Sequence, residues 1–350
     1  MSEDKRTYTR DLGLLVVAFV ATLVLLAGLV MVFGSRPGVV AGPGTSPSAP
    51  PPTAASAEPG GSGTPGSPSA PPATASPSVV PSDSGSGDPV LVGAGDIAMC
   101  SRDDDESTAR LLDAMPGTVF AAGDNAYEDG SEEQYRECYA PTWGRHLERT
   151  RAVPGNHDYQ TTDAAGYKAY FGDASAGPDG ETWYSFDLGT WHVVMLDSNC
   201  DDVGCEHDSP QGRWLTADLA ASDARCTVAI WHHPRFSSGF HGNDRDVAPF
   251  WEILHAGGAD VVLNGHDHDY ERFAPQDPDG EEDRVRGVRE FVVGTGGATL
   301  RPFEAVVPNS ELRYAVTPGI FAMTLHDGRY DWQFVPTSGR FSDRGSAACH

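Results

Sequence analysis

Five short segments carry residue types that could hold metal ions and move protons. They are Gly95-Asp96-Ile97-Ala98, Gly123-Asp124-Asn125-Ala126-Tyr127, Gly155-Asn156-His157-Asp158, Trp231-His232-His233-Pro234 and Gly265-His266-Asp267-His268. Each closes a stretch that reads as a buried β-strand. A hard trivalent cation favours anionic oxygen, which suits Asp96, Asp124 and the phenolate of Tyr127, with His268 adding a nitrogen. A divalent ion would take Asn156, His232 and His266, and Asp124 could bridge the two. Such a pair lowers the pKa of a bound water and clamps the attacking and leaving oxygens of a displacement at phosphorus. Singly, each segment is weak: Gly-Asp after a strand is commonly a turn, and a lone tyrosine a packed aromatic. Their weight comes from occurring together, in order, at strand ends.

The elements that must position them alternate in βαβ fashion. Apolar runs at 90–94 and 118–122 flank a helical pattern over 106–115. A second helical stretch, 132–147, is interrupted near Pro141 and leads through 151–153 into the Asn156 segment. Strands are expected at 183–186, 191–196, 227–231, 260–263 and 290–293, with a hairpin of 320–325 and 330–335 turning at Asp327-Gly328. Helices are expected at 210–221, with Pro210 at its start, and at 247–256, stopped by Gly257-Gly258. The result is a two-layered sheet with helices outside, whose loops converge at strand carboxyl ends.

These residues resemble the metallophosphoesterase superfamily and, more narrowly, the purple acid phosphatases, over most of 90–335. The wider superfamily commonly opens with Asp-x-His, whereas Ile97-Ala98 follows Asp96 here. The Gly-Asp-x-x-Tyr segment at 123–127 is the purple acid phosphatase substitute, with tyrosinate in place of that histidine. The resemblance implies an α/β fold, a four-layer αββα sandwich of two mixed β-sheets flanked by helices. It implies Fe(III) at Asp96, Asp124, Tyr127 and His268, and a divalent iron, zinc or manganese at Asp124, Asn156, His232 and His266. His232 rather than His233 is the ligand because it stands two residues before Pro234, as in the family. His157 and His241 match positions that hold phosphate and assist the leaving group. Asp158 and Asp267 are expected to orient histidine tautomers, and Tyr270 and Arg272 match the pattern without a derivable role.

Composition frames the rest. Residues 89–350 hold 20 of the 24 basic and 44 of the 50 acidic residues, a formal charge of −24 that repels nucleic acid. Leu12 to Phe33 is an uncharged, mostly apolar run which as a helix would be about 33 Å long, enough to span a bilayer. Lys5, Arg6 and Arg10 precede it, so residues 1–11 are expected in the cytoplasm and the large domain outside. A cleaved signal peptide, processed near Val39-Val40-Ala41, is the alternative and would give a secreted protein. Residues 34–88 form a Pro/Ser/Gly/Ala-rich linker expected to be disordered, and 89–350 the metallophosphoesterase domain. Six cysteines suit an oxidising compartment: Cys200 with Cys205 is the first pairing expected, with Cys226–Cys349 and Cys100–Cys138 next.

The expected function is hydrolysis of phosphomonoesters by a metal-bound hydroxide. A phosphodiesterase or nucleotidase on the same core, and a non-catalytic surface module, are the alternatives. Segments 172–181 and 200–209 are expected to shape the pocket. Oligomeric state is not legible. His146, His192, His207, His255, His326 and His350 have no motif around them and are read as structural, and the acidic 103–106 stretch as a solvated helix start.

Overall fold

The computed structural model describes residues 87–177 and 180–350, which belong to one of the two compact units into which the chain divides, 72–350. The apolar run 12–33, the residues before it and the linker up to residue 86 lie outside the described residues. Among the described residues no helix is long and apolar enough to cross a membrane.

Fifteen strands organise the described region. They are β1 (Val90–Ala94), β2 (Ala98–Met99), β3 (Thr118–Ala122), β4 (Ala126–Tyr127), β5 (Thr150–Val153), β6 (Tyr184–Leu188), β7 (Trp191–Met195) and β8 (Cys226–Ile230). The rest are β9 (Val261–Asn264), β10 (Tyr270–Phe273), β11 (Arg289–Val293), β12 (Ser310–Tyr314), β13 (Gly319–His326), β14 (Arg329–Pro336) and β15 (Asp343–Ala348). A six-stranded sheet runs β15-β14-β13-β1-β3-β5 and a seven-stranded sheet β12-β10-β11-β9-β8-β7-β6, both mixed, while β2 and β4 form a small parallel pair. This is the α/β sandwich of two mixed sheets that the resemblance implied.

Alternation along the second sheet explains its two coverings. Val193, Met195, Val228, Ile230, Val261 and Leu263 share a core with Phe321 and Met323 of the first sheet. The intervening Val194, Ala229, Trp231 and Val262 pack instead with Leu215 of the helix Pro210–Ala221 and Phe250, Trp251 and Leu254 of the helix Ala248–Ala256. A strand buried on both faces must be apolar throughout, which is why β8 and β9 read as continuous hydrophobic runs. Each fully buried large side chain contributes about 1.5–3 kcal/mol. The first of these helices begins as its sequence dictates: Ser209 accepts from the Gly212 N–H at 3.0 Å and Pro210 occupies the first turn.

Several expectations are corrected. The 132–147 stretch is helical and broken around Pro141, as expected, but it is irregular: one α turn at Glu132–Gln134 widens to a π turn at Tyr135–Tyr139, and Trp143–Arg149 is wound as a tight 3-10 helix. The helix expected from 106 starts at Asp104, and only part of its acidic start is solvated: Asp105 is buried and accepts from the Thr142 hydroxyl at 2.7 Å. Five strands went unread, two of them the two-residue β2 and β4. β10, β12 and β15 contain the polar sequences Tyr-Glu-Arg-Phe, Ser-Glu-Leu-Arg-Tyr and Asp-Arg-Gly-Ser-Ala-Ala, and pairing with β11, β10 and β14 makes them strands. Tyr270 and Arg272 gain a role here, because both donate to Asp343 of β15, at 2.6 and 2.9 Å, and so join the two sheets. The disulfides are Cys100–Cys138, Cys200–Cys205 and Cys226–Cys349, as expected.

Candidate metal centre

The five segments meet where the carboxyl ends of the two sheets face each other. Asp96, Asp124 and Asn156 follow β1, β3 and β5; His232 and His266 follow β8 and β9. The turns that carry them are unusual. Asp96, Asp124 and His266 each have positive φ (59°, 50° and 70°), a left-handed backbone that costs a non-glycine residue and that clusters at functional sites. Glycine precedes each of them for want of room. A Cβ on Gly123 would lie 2.5 Å from the His232 ring, and one on Gly265 2.6 Å from an Asp96 oxygen.

The side chains converge tightly. Tyr127 Oη donates towards Asp96 Oδ1 at 2.8 Å and Asp124 Oδ2 at 3.1 Å, and lies 3.2 Å from His268 Nε2. His268 Nε2 is 3.2 Å from Asp96 Oδ1, and His232 Nε2 3.3 Å from Asp124 Oδ2. The ring nitrogens of His232, His233 and His266 lie within 4.8 Å of one another, as do ligand atoms of Asp96, Asp124 and His232. Among the described residues no lysine or arginine pairs with either carboxylate. Two buried polar atoms, His232 Nε2 and Asn156 Oδ1, make no hydrogen bond. Buried atoms left in that state are costly unless something binds them. Two anionic carboxylates, a phenol, imidazoles and an amide oxygen form a donor set suited to cations, so the residues fit a metal centre.

Electrostatics point the same way. Burial opposes ionisation of Asp96 and Asp124, but His268 and His232 respectively hold the two carboxyls below the usual range. Burial also disfavours a charged His232, yet Asp124 draws its pKa up to about 9. Tyr127 moves the other way. Burial, then the charges of Asp124 and Asp96, keep its proton on, and only a cation in that position would favour the phenolate.

The expected orienting contacts are different from those found. Asp158 accepts from the Gly155 and Asn125 N–H groups and from the Tyr135 hydroxyl at 2.6 Å, and touches no imidazole. Asp267 accepts from the Ser237 hydroxyl and from the His241 backbone N–H at 2.8 Å. Both carboxylates shape loops. Ring orientation is set by carbonyls: Ala122 O receives His232 Nδ1 and Thr299 O receives His268 Nδ1, each at 2.8 Å, and Glu128 O receives His157 Nδ1 at 2.5 Å. A backbone carbonyl can fix a tautomer as a carboxylate does. His233 shares a 2.8 Å hydrogen bond with the Ser198 hydroxyl and packs against His266. The unmotivated histidines pair elsewhere, as His192 does with Asp187 and Asp218.

Sequence reasoning overlooked the segment after β11. Gly296 N donates to Gly95 O, Ala298 N to Asp96 O and Arg301 N to His268 O, so this stretch backs the metal loops from outside. The run Gly294-Thr295-Gly296-Gly297 at a strand end was the available signal. Of the two loops expected to shape the pocket, Cys200, Asp201 and Asp202 line a cavity of about 310 Å³ with Asn156 and His233. Asp173, Ala174, Ala176 and Gly177 line a separate cavity with Arg151 and Trp214.

A family profile described as calcineurin-like phosphoesterase matches residues 91–270, just over half the chain and all five segments. The chain belongs to the calcineurin-like phosphoesterase family. Within that family it is similar to Arabidopsis thaliana purple acid phosphatase 15, 29% identical over 48% of this chain and 38% of the relative. Purple acid phosphatase 21 of the same plant is 32% identical over 40% of this chain and 37% of the relative. The matches thus span less than two-fifths of the length of these relatives. The structure of purple acid phosphatase PPD1 from yellow lupin, Lupinus luteus, shares the fold at a TM-score of 0.58 and 16% identity, covering 74% of this chain and 53% of that one.

Proposed function

We propose that the chain is a metal-dependent phosphoric ester hydrolase that cleaves phosphomonoesters at a binuclear centre. The carrying observation is the buried cluster of Asp96, Asp124, Tyr127, His232 and His268, in which His232 Nε2 and Asn156 Oδ1 make no hydrogen bond and His232 Nε2 faces Asp124 Oδ2 at 3.3 Å. Asp96, Asp124, Tyr127 and His268 would hold Fe(III); Asp124, Asn156, His232 and His266 would hold a divalent iron, zinc or manganese. Bound there, the cations would activate water and offset the charge of the phosphoryl group.

The chain's own residues divide the remaining work. His157 Nδ1 faces a carbonyl, which only accepts, so it carries a proton and leaves Nε2 as the atom that can hold or release another. His241 Nε2 faces a guanidinium, which only donates, so while so paired it accepts at that atom. His157 is therefore the proton donor to the departing alkoxide and His241 a phosphate-side residue. Display outside a membrane through 12–33 is part of this reading, supported by three disulfides that suit an oxidising compartment.

The test is the visible absorption spectrum, metal content and phosphatase activity of the full chain beside Tyr127→Phe. A purple band lost on substitution is the expected result. Colourless protein holding two divalent ions would sink the iron-tyrosinate assignment, and metal-free, inactive protein the hydrolase itself.

A further inference from the structure

Arg301 sits at the mouth of the centre, where no motif marked a functional residue. Its Nη1 donates to His241 Nε2 at 2.7 Å, and its guanidinium lies over Phe240, 5.1 Å from the ring centroid. The His241 ring is 4.1 Å from that of His266, and the Arg301 backbone is tied to the His268 carbonyl at 3.0 Å. Phe240 itself is 56% exposed, so the pair forms part of the rim.

The guanidinium differs from Arg145, Arg272 and Arg289, which are matched to carboxylates. Among the described residues no carboxylate lies within ion-pair distance of Arg301, and its one side-chain hydrogen bond goes to an imidazole. A guanidinium has five N–H donors in a planar fork, so further donors stay available beside the Phe240 ring. In a domain with a formal charge of −24, a cation so placed makes the approach to the centre locally favourable for an anion. A monoester carries about 1.5 to 2 negative charges at neutral pH, a diester one.

Resting on the phosphatase reading, we propose that Arg301, held by Phe240, binds non-bridging oxygens of the substrate's phosphoryl group and favours dianionic monoesters over monoanionic diesters. The experiment compares the wild type, Arg301→Ala and Arg301→Lys in the full chain. Substrates are p-nitrophenyl phosphate and bis(p-nitrophenyl) phosphate, with inorganic phosphate as competitor. Arg301→Ala is expected to lower kcat/KM for the monoester, and to weaken inhibition by phosphate, by about 10- to 100-fold, the range for losing a hydrogen bond to a charged group. Diester turnover should change far less, and Arg301→Lys should fall between because it keeps the charge without the fork.

Equal losses on both esters, or unchanged phosphate inhibition, would overturn the proposal. Introduced into His241→Ala, the Arg301→Ala loss should persist. Disappearance there would make Arg301 a positioning residue for His241 and also overturn it. A wild type that turns over neither ester counts against the phosphatase reading instead. Calorimetric titration of inorganic phosphate into the wild type and Arg301→Ala then decides the anion site, with equal affinities overturning it. Should Arg301→Ala fail to fold, Arg301→Gln and Arg301→Lys carry the same measurements.

Discussion

From the loops after β1, β3 and β5 come Asp96, Asp124, Tyr127 and Asn156, all offering oxygen; from those after β8 and β9 come His232, His266 and His268, all offering nitrogen. The first group carries the negative charge. The second carries aligned rings, two of them held by carbonyls, and one of those carbonyls, Ala122 O, belongs to the opposite sheet. The His266 N–H reaches back to Asp96 Oδ2 at 2.8 Å, and Gly95 N reaches Val293 O at 2.9 Å. Neither sheet builds the candidate centre alone, so the seam between the sheets and the proposed metal site are the same place. Binding a cation there should therefore stabilise the fold as well as enable chemistry.

The most severe way to break the partition is to remove its shared oxygen. Asp124→Asn should lose both cations and lower activity by more than about 100-fold, above the range for groups that merely support a ligand. His232→Ala, by contrast, should retain one cation. Metal analysis of the two variants settles this, and equal stoichiometries would show that the sheets do not divide the work as argued. Gly123→Ala attacks the same seam through sterics. Its Cβ would meet the His232 ring at 2.5 Å on a backbone with φ of 84°, so activity and melting temperature should both fall.

Chelation tests the coupling of site to fold. At free metal about 1,000-fold above Kd, binding adds about 4 kcal/mol, so stripping the metal should lower the melting temperature by roughly 10 °C. No change would separate the seam from the site. Tyr270→Phe probes a join between the sheets away from the metals. Removing its bond to the buried Asp343 should cost about 1–3 kcal/mol in denaturant unfolding while sparing kcat.

The smallest effect belongs to His350, whose pKa is raised by its hydrogen bond to Asp260, against the opposing effect of burial. A raised folded pKa stabilises fully below the ordinary value of 6.5, and that contribution is lost as pH rises through the folded value. Thermal melts of His350→Ala against the wild type should differ most below pH 6 and converge at alkaline pH.

Legibility followed locality. β1, β3, β8 and β9 could be read because strands buried on both faces are apolar along their length. β12 and β15 could not, since their residues are polar or small and the neighbouring ladder makes them strands. Three of the Gly-led segments were legible for a similar reason: Asp96, Asp124 and His266 are left-handed residues after glycine at strand ends, a local requirement that leaves a local mark.

By itself the sequence determined which residues gather at the candidate centre, their order, the strands that carry them and the three disulfide pairs. Tertiary structure decided what each donor faces. Asp158 and Asp267 brace loops rather than rings, Thr299 fixes His268, and Arg301 meets His241 across 60 positions. Such pairings depend on how two sheets are brought together, and no periodicity along one strand encodes the distance to a loop on the other.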